Sequence, residues 1–193
     1  PSSRLNTGKN PGKAQRVYAS LGSPPEMFAK PAEKVANRAA LAKWGSWVNA
    51  FGKEHYGQPL FLACSADLAG STNIIGFAQK WGDFPGWGIY DRDKNLEGSL
   101  LPTEITEFTN AGISAGMASV NFADNPYEEF QGFYGATSTY GSFVYLHYGM
   151  FRLFSHFAQD CQLKVGKVPW VVGHSGPETA GDPRTPPRTF PPR

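Results

Sequence analysis

Leu60-Phe61-Leu62-Ala63-Cys64-Ser65-Ala66-Asp67-Leu68-Ala69-Gly70-Ser71-Thr72-Asn73 is the stretch on which the fold turns. Leu60–Ala63 is a short, continuously apolar run, the pattern of a strand covered on both faces of a parallel sheet. The run ends in a carboxylate, a glycine and a cluster of hydroxyl and amide groups. Ser71 or Thr72 can then cap a helix through Ile74, Ile75, Phe77 and Trp81. Polar groups at the carboxyl end of a strand are where open α/β sheets build their sites.

Upstream, Val35, Ala39, Leu41, Ala42, Trp44, Trp47, Val48 and Phe51 recur near helical spacing, which predicts a helix from Ala32 to about His55. Gly57-Gln58-Pro59 stops it. Downstream, Gly82–Pro102 reads as loop, and Ile105-Thr106-Glu107-Phe108 as a short strand end. Asn110–Ser119 is a helix of small residues. Its glycines each cost about 1 kcal/mol of helix propensity, so close approach of another backbone is expected there. Gln131–Ser138 fits a strand and Phe143–Gln162 an aromatic-rich helix. Val168–Val172 fits another buried strand, leading to His174. Strands alternating with helices predict an α/β fold, a parallel sheet flanked by helices. Asp67, Glu107 and His174 would then meet at one edge of it.

The chain's 193 residues suit one domain with tails. Residues 1–32, basic and rich in Pro, Gly and Ser, read as a flexible arm or linker. Residues 33–181 form the domain. Asp182–Arg193, with five prolines and three arginines, reads as a tail. A net charge of +2 gives no reason to expect nucleic acid or an anionic membrane as main partner. No apolar run approaches the roughly 18 residues a membrane span needs, and the first 30 residues hold no apolar signal-peptide core. Cys64 and Cys161 make neither a disulfide framework nor a zinc site; they read as buried thiols in a reducing, cytoplasmic compartment. The familiar catalytic signatures G-x-S-x-G, H-E-x-x-H, the Walker loop and G-x-G-x-x-G are absent.

Four motifs, in order, resemble the pyrimidine-binding domain of transketolases, which use thiamine diphosphate. Ala36-Asn37-Arg38 is similar to the A-T-R that opens this domain. Ala66-Asp67-Leu68 with Ser71 and Asn73 resembles A-D-L-x-x-S-N. Glu107 with Ile113, Gly116, Met117 and Ala118 resembles E-H-A-M-G-x-I-x-x-G-M-A. His174, Asp182 and Thr185 resemble H-D-S-x-G-x-G-E-D-G-P-T-H. The matches span roughly residues 36–185. The aromatic segment from Phe143 is also similar to that of phosphoketolases.

The resemblance implies a thiamine-diphosphate-binding fold and two-carbon ketol transfer between sugar phosphates. It makes Glu107 the residue that hydrogen-bonds the cofactor's aminopyrimidine and activates its thiazolium. Such a carboxylate should be buried among apolar groups; Glu104 competes for the role. Asp67 would line the cofactor pocket, and Phe143, Tyr145 and Tyr148 would wall the pyrimidine, with plain helix packing as their other reading. Arg38 and Ser71 would hold substrate phosphate, or Arg38 would serve only the surface. His174 and Asp182 would contact substrate hydroxyls, with His174 also counted as catalytic.

The match departs from the family at Phe108 and Pro186, each standing where the family has histidine. The diphosphate-binding half, with its G-D-G and Asn-Asn, has no counterpart in the sequence. The chain is therefore expected to supply half a site, in a homo- or hetero-oligomer with a diphosphate-binding subunit or domain that carries the Mg or Ca ion. Phosphoketolase, deoxyxylulose-phosphate synthase, 2-oxoacid dehydrogenase and a non-catalytic partner subunit remain as alternatives.

Overall fold

A computed structural model describes residues 27–66, 69–80 and 88–173. Helix α1, Asn37–Tyr56, ends where Gly57 turns left-handed (φ 73°) and its N–H closes on the Lys53 carbonyl. Strand β1, Phe61–Ser65, is buried along its whole length. A 3₁₀ helix, Ile74–Ala78, follows. Helix α2 is Glu107–Ser119 and strand β2 is Tyr134–Tyr140. A 3₁₀ turn, Gly141–Phe143, leads to helix α3, Tyr145–Asp160, and β3 is Trp170–Gly173.

The three strands form one parallel sheet in the order β1-β2-β3, with Phe61 opposite Tyr134 and Thr137 opposite Trp170. The α/β fold expected from the alternating pattern is therefore present. The two crossovers step in one direction across the sheet. With right-handed connections, α2 and α3 fall on the same face and α1 on the other. At β1's outer edge, Ala63 exchanges hydrogen bonds with Ser99 and Leu101 at 2.8 and 2.7 Å. Asn49 of α1 acts there as a further pairing partner. Its amide donates to the Phe61 and Phe77 carbonyls (2.9 and 2.7 Å), and its Oδ1 accepts the Phe61 N–H at 2.8 Å.

The face beneath α1 is apolar: Val48, Phe51, Leu60, Phe61, Ile74 and Phe77 pack into one cluster. Trp44, Phe61 and Phe77 meet there edge-on or tilted, with ring centroids 5.1–5.7 Å apart. The face beneath α2 is built from small and polar residues. There Cys64, Asn110, Ser114, Thr137 and Thr139 are all buried to within 1% of complete.

Several local expectations are corrected. The polar residues after β1 do not cap a helix: Asn73, itself left-handed (φ 60°), precedes only a 3₁₀ turn, without a side-chain cap. Ile105–Phe108 is no strand; Glu107 opens α2. The second strand begins three residues later than expected, at Tyr134, and runs to Tyr140. β3 is an edge strand with Trp170 and Val172 exposed. Cys161 is exposed rather than buried. Finally, the close backbone approach occurs on the other partner: a Cβ on Gly135 of β2 would overlap the Ser114 carbonyl of α2, whereas a Cβ on Gly116 would meet nothing within 4 Å. Among the described residues, no helix is long and apolar enough to cross a membrane.

Candidate functional site

In a parallel sheet all strands end at one edge, so Ser65, Tyr140 and Gly173 mark a common rim. Glu107 reaches that rim from the first turn of α2. It is 7% exposed, and Thr139 on β2 donates its hydroxyl to Oε1 at 3.2 Å. A carboxylate in a helix's first turn also gains from the unpaired N–H groups there. The expected burial is met, but not its apolar surroundings. Ile105 and Phe108 are turned out, 65% and 58% exposed, and Glu107 lies against polar neighbours. Glu104, the competing carboxylate, is exposed and offers α2 only its backbone carbonyl, to Asn110 Nδ2 at 3.4 Å.

His147 is the one fully buried residue of α3. Its ring packs 5.6 Å from Trp170 and 5.7 Å from Phe151. Both ring nitrogens are buried without a hydrogen-bond partner among the described residues, as is Asn110 Oδ1. Native interiors rarely leave such atoms unpaired. Burial pushes the imidazole's pKa down, and the nearby Glu107 charge pulls it partly back. The Glu107 carboxylate and an electrically coupled imidazole therefore share the α2/α3 face of the rim. Deeper on that face, the Cys64 thiol is raised by burial, opposed by the Ser114 and Thr137 hydroxyls. It donates toward the Asn110 carbonyl at 3.5 Å and reads as a structural thiol.

The opposite side of the rim carries a hydroxyl ladder. Ser138 Oγ donates to Ser65 Oγ at 2.8 Å and meets Thr72 Oγ1 at 2.9 Å. Thr103 Oγ1 donates to the Ser65 carbonyl at 3.1 Å. Ser71 Oγ is hydrogen-bonded to the Tyr140 hydroxyl, and Arg38 Nη1 donates to the Ser71 carbonyl at 3.4 Å. The structure thus brings Arg38 and Ser71 together across 33 residues of sequence. It adds Tyr140, which the sequence reading left out because the strand was ended at Ser138. A strand register two residues longer would have found it.

Phe143, Tyr145 and Tyr148 follow directly on Tyr140. They are 49%, 67% and 57% exposed, so helix-core packing does not occupy them. Tyr148's hydroxyl accepts from Arg152 at 3.3 Å. Asp67, His174 and Asp182 lie outside the described residues. Among the described residues no His, Cys, Asp and Glu cluster fit to hold a metal ion is found. No protein-family model, curated protein or solved structure matches the chain.

Proposed function

We propose that the chain is the pyrimidine-binding domain or subunit of a transketolase-like enzyme, cytoplasmic, working with a diphosphate-binding subunit or domain. The observation that carries this reading is the buried Glu107 carboxylate, held by Thr139 at the carboxyl rim of a parallel sheet. Thiamine diphosphate, when bound, supplies the electron sink for cleaving the carbon–carbon bond beside a ketose carbonyl.

The residues present suit one end of that cofactor. Glu107 offers a fixed carboxylate, the acceptor or shared-proton partner that a ring nitrogen requires. Phe143, Tyr145 and Tyr148 offer exposed aromatic rings just beyond the rim. Arg38, tied to Ser71, offers a planar cation to a sugar phosphate. None of these groups provides the metal or the diphosphate contacts, which fall to the partner.

The test is calorimetric titration with thiamine diphosphate and Mg²⁺, on the chain alone and on its complex with a diphosphate-binding subunit recovered from the native source. The isolated chain is expected to give no measurable heat up to about 1 mM ligand, and the complex to bind and to transfer a ketol unit from xylulose 5-phosphate. Tight binding by the isolated chain, or a complex that neither binds nor transfers, overturns the proposal.

A further inference from the structure

Glu107 and His147 stand at the same level of the fold. Glu107 is the first residue of α2 and His147 the third of α3, and both helices leave the carboxyl rim and run back along the sheet side by side. They touch where a Cβ on Gly149 would meet the Phe108 ring at 3.7 Å, one residue past Glu107 and two past His147. The His147 ring lies 5.6 Å from Trp170, which pairs with Thr137 in the sheet. Thr139, which holds Glu107, shares a strand face with Thr137. Thr137 Oγ1, Asn110 Oδ1 and both His147 nitrogens are buried without a hydrogen-bond partner among the described residues.

Filling space does not account for a histidine here. An apolar ring would pack as well against Trp170 and Phe151 and would strand no polar atom. What an imidazole adds is a group that takes up and releases a proton near neutral pH. Among the described residues its charged surroundings reduce to one group. Glu107 is the only ionisable side chain of α2, and β3 has none. Tyr134 and Tyr140 of β2 alternate to the opposite face, where the Tyr140 hydroxyl meets Ser71. The Cys64 thiol lies deeper, against Asn110 and Ser114. On α3 itself Tyr145, Tyr148, Arg152, His156 and Asp160 are exposed. Burial lowers the imidazole's pKa, and the Glu107 charge raises it in part.

We propose that His147 is the proton-holding partner of Glu107, accepting the carboxyl proton at its unprotonated ring nitrogen and returning it. The O–H bond of Glu107 breaks as an N–H bond forms on His147; the reverse step restores both, and nothing is oxidised. The imidazolium formed in between is stabilised by the carboxylate left behind. No hydrogen bond joins the two side chains directly, so the proton crosses a bridging water or hydroxyl, a reach that acid–base pairs use. Glu107 is 7% exposed, which leaves bulk solvent little access to it. His147 acts through Glu107 and is a positioning residue. The use made of the proton rests on the thiamine reading; the coupling of the pair does not.

Nitrogen-15 NMR titration of the isolated chain tests the pair. Glu107→Gln keeps the shape and the bond from Thr139 but removes the charge, and should lower the pH at which His147 takes its proton. Asp160→Asn removes the same charge at the exposed far end of α3 and should leave that midpoint in place. In the complex with the proposed diphosphate-binding subunit, His147→Phe should reduce kcat about tenfold or more with KM for xylulose 5-phosphate unchanged. Its unfolding midpoint should not fall, whereas a packing role alone would tie lost rate to lost stability. A His147 midpoint unmoved by Glu107→Gln, or moved equally by Asp160→Asn, overturns the pair, as does a His147→Phe complex with full activity. A wild-type complex that transfers nothing overturns the thiamine reading alone.

Discussion

The two faces of the sheet are built to different rules. Under α1, large apolar rings fill the space and each buried polar group is paired, Asn49 making three hydrogen bonds. Under α2 and α3, side chains are small or polar, a carboxylate is buried, and an imidazole has no hydrogen-bond partner among the described residues. Close packing and full pairing are what stabilise a fold. Locally unfavourable polar burial is what functional sites retain. One face holds the molecule together; the other carries buried polar groups at a cost in stability.

The largest effect should come from the first face. Phe77 is completely buried and touches both Trp44 and Phe61. Phe77→Ala should cost about 3–5 kcal/mol in urea unfolding. Next is Asn49→Ala, which strands the Phe61 N–H and C=O while the Phe77 carbonyl keeps the Ser99 hydroxyl; a loss of about 2–3 kcal/mol is expected. If either cost were under about 1 kcal/mol, the first face would not be the anchor described.

The second face should respond in the opposite sense. His147→Phe replaces a ring whose two nitrogens have no partner among the described residues by an apolar ring of similar shape, and should raise stability by about 1 kcal/mol. The pH dependence follows from the direction of the shift. With its folded pKa lowered, the imidazole is favoured neutral in the native state, so its contribution is present above the unfolded value near 6.5 and is lost as the pH falls through the folded value. Wild type should therefore lose stability on acidification below about pH 6.5, and His147→Phe should lose less. Equal acid slopes for the two proteins would remove His147 from the account.

The sequence shows the two faces unequally. Aromatic and aliphatic residues at helical spacing located the end of α1 to one residue, though it starts at Asn37 rather than Ala32, and the apolar run at Leu60 located β1. β2 was misplaced at both ends because its signal is Thr and Ser rather than Val and Ile. Those hydroxyls are buried through the ladder with Ser65 and Thr72, a tertiary arrangement that no local pattern encodes. Glu107 was singled out, but as a strand end. The short Ile105–Phe108 run looks like a strand because Ile, Thr and Phe are strand-favouring types, yet Ile105 and Phe108 turn outward ahead of and within a helix. The pairing of Arg38 with Ser71 is long-range, and the motif order alone suggested it. His147 gave no local signal, since a lone histidine among aromatics does not reveal that its nitrogens lack partners among the described residues.

The central claim is that the polar face is the working one and that Glu107 is its acting group. The direct measurement is two-carbon transfer from xylulose 5-phosphate by the complex with the proposed diphosphate-binding subunit, comparing wild type with Glu107→Gln. Gln keeps the shape and can still meet Thr139, but cannot share a proton as a carboxylate does. Activity should fall by about 10²-fold or more, with the unfolding midpoint little changed. Equal rates for the two complexes would contradict the assignment of Glu107 and the function built on it.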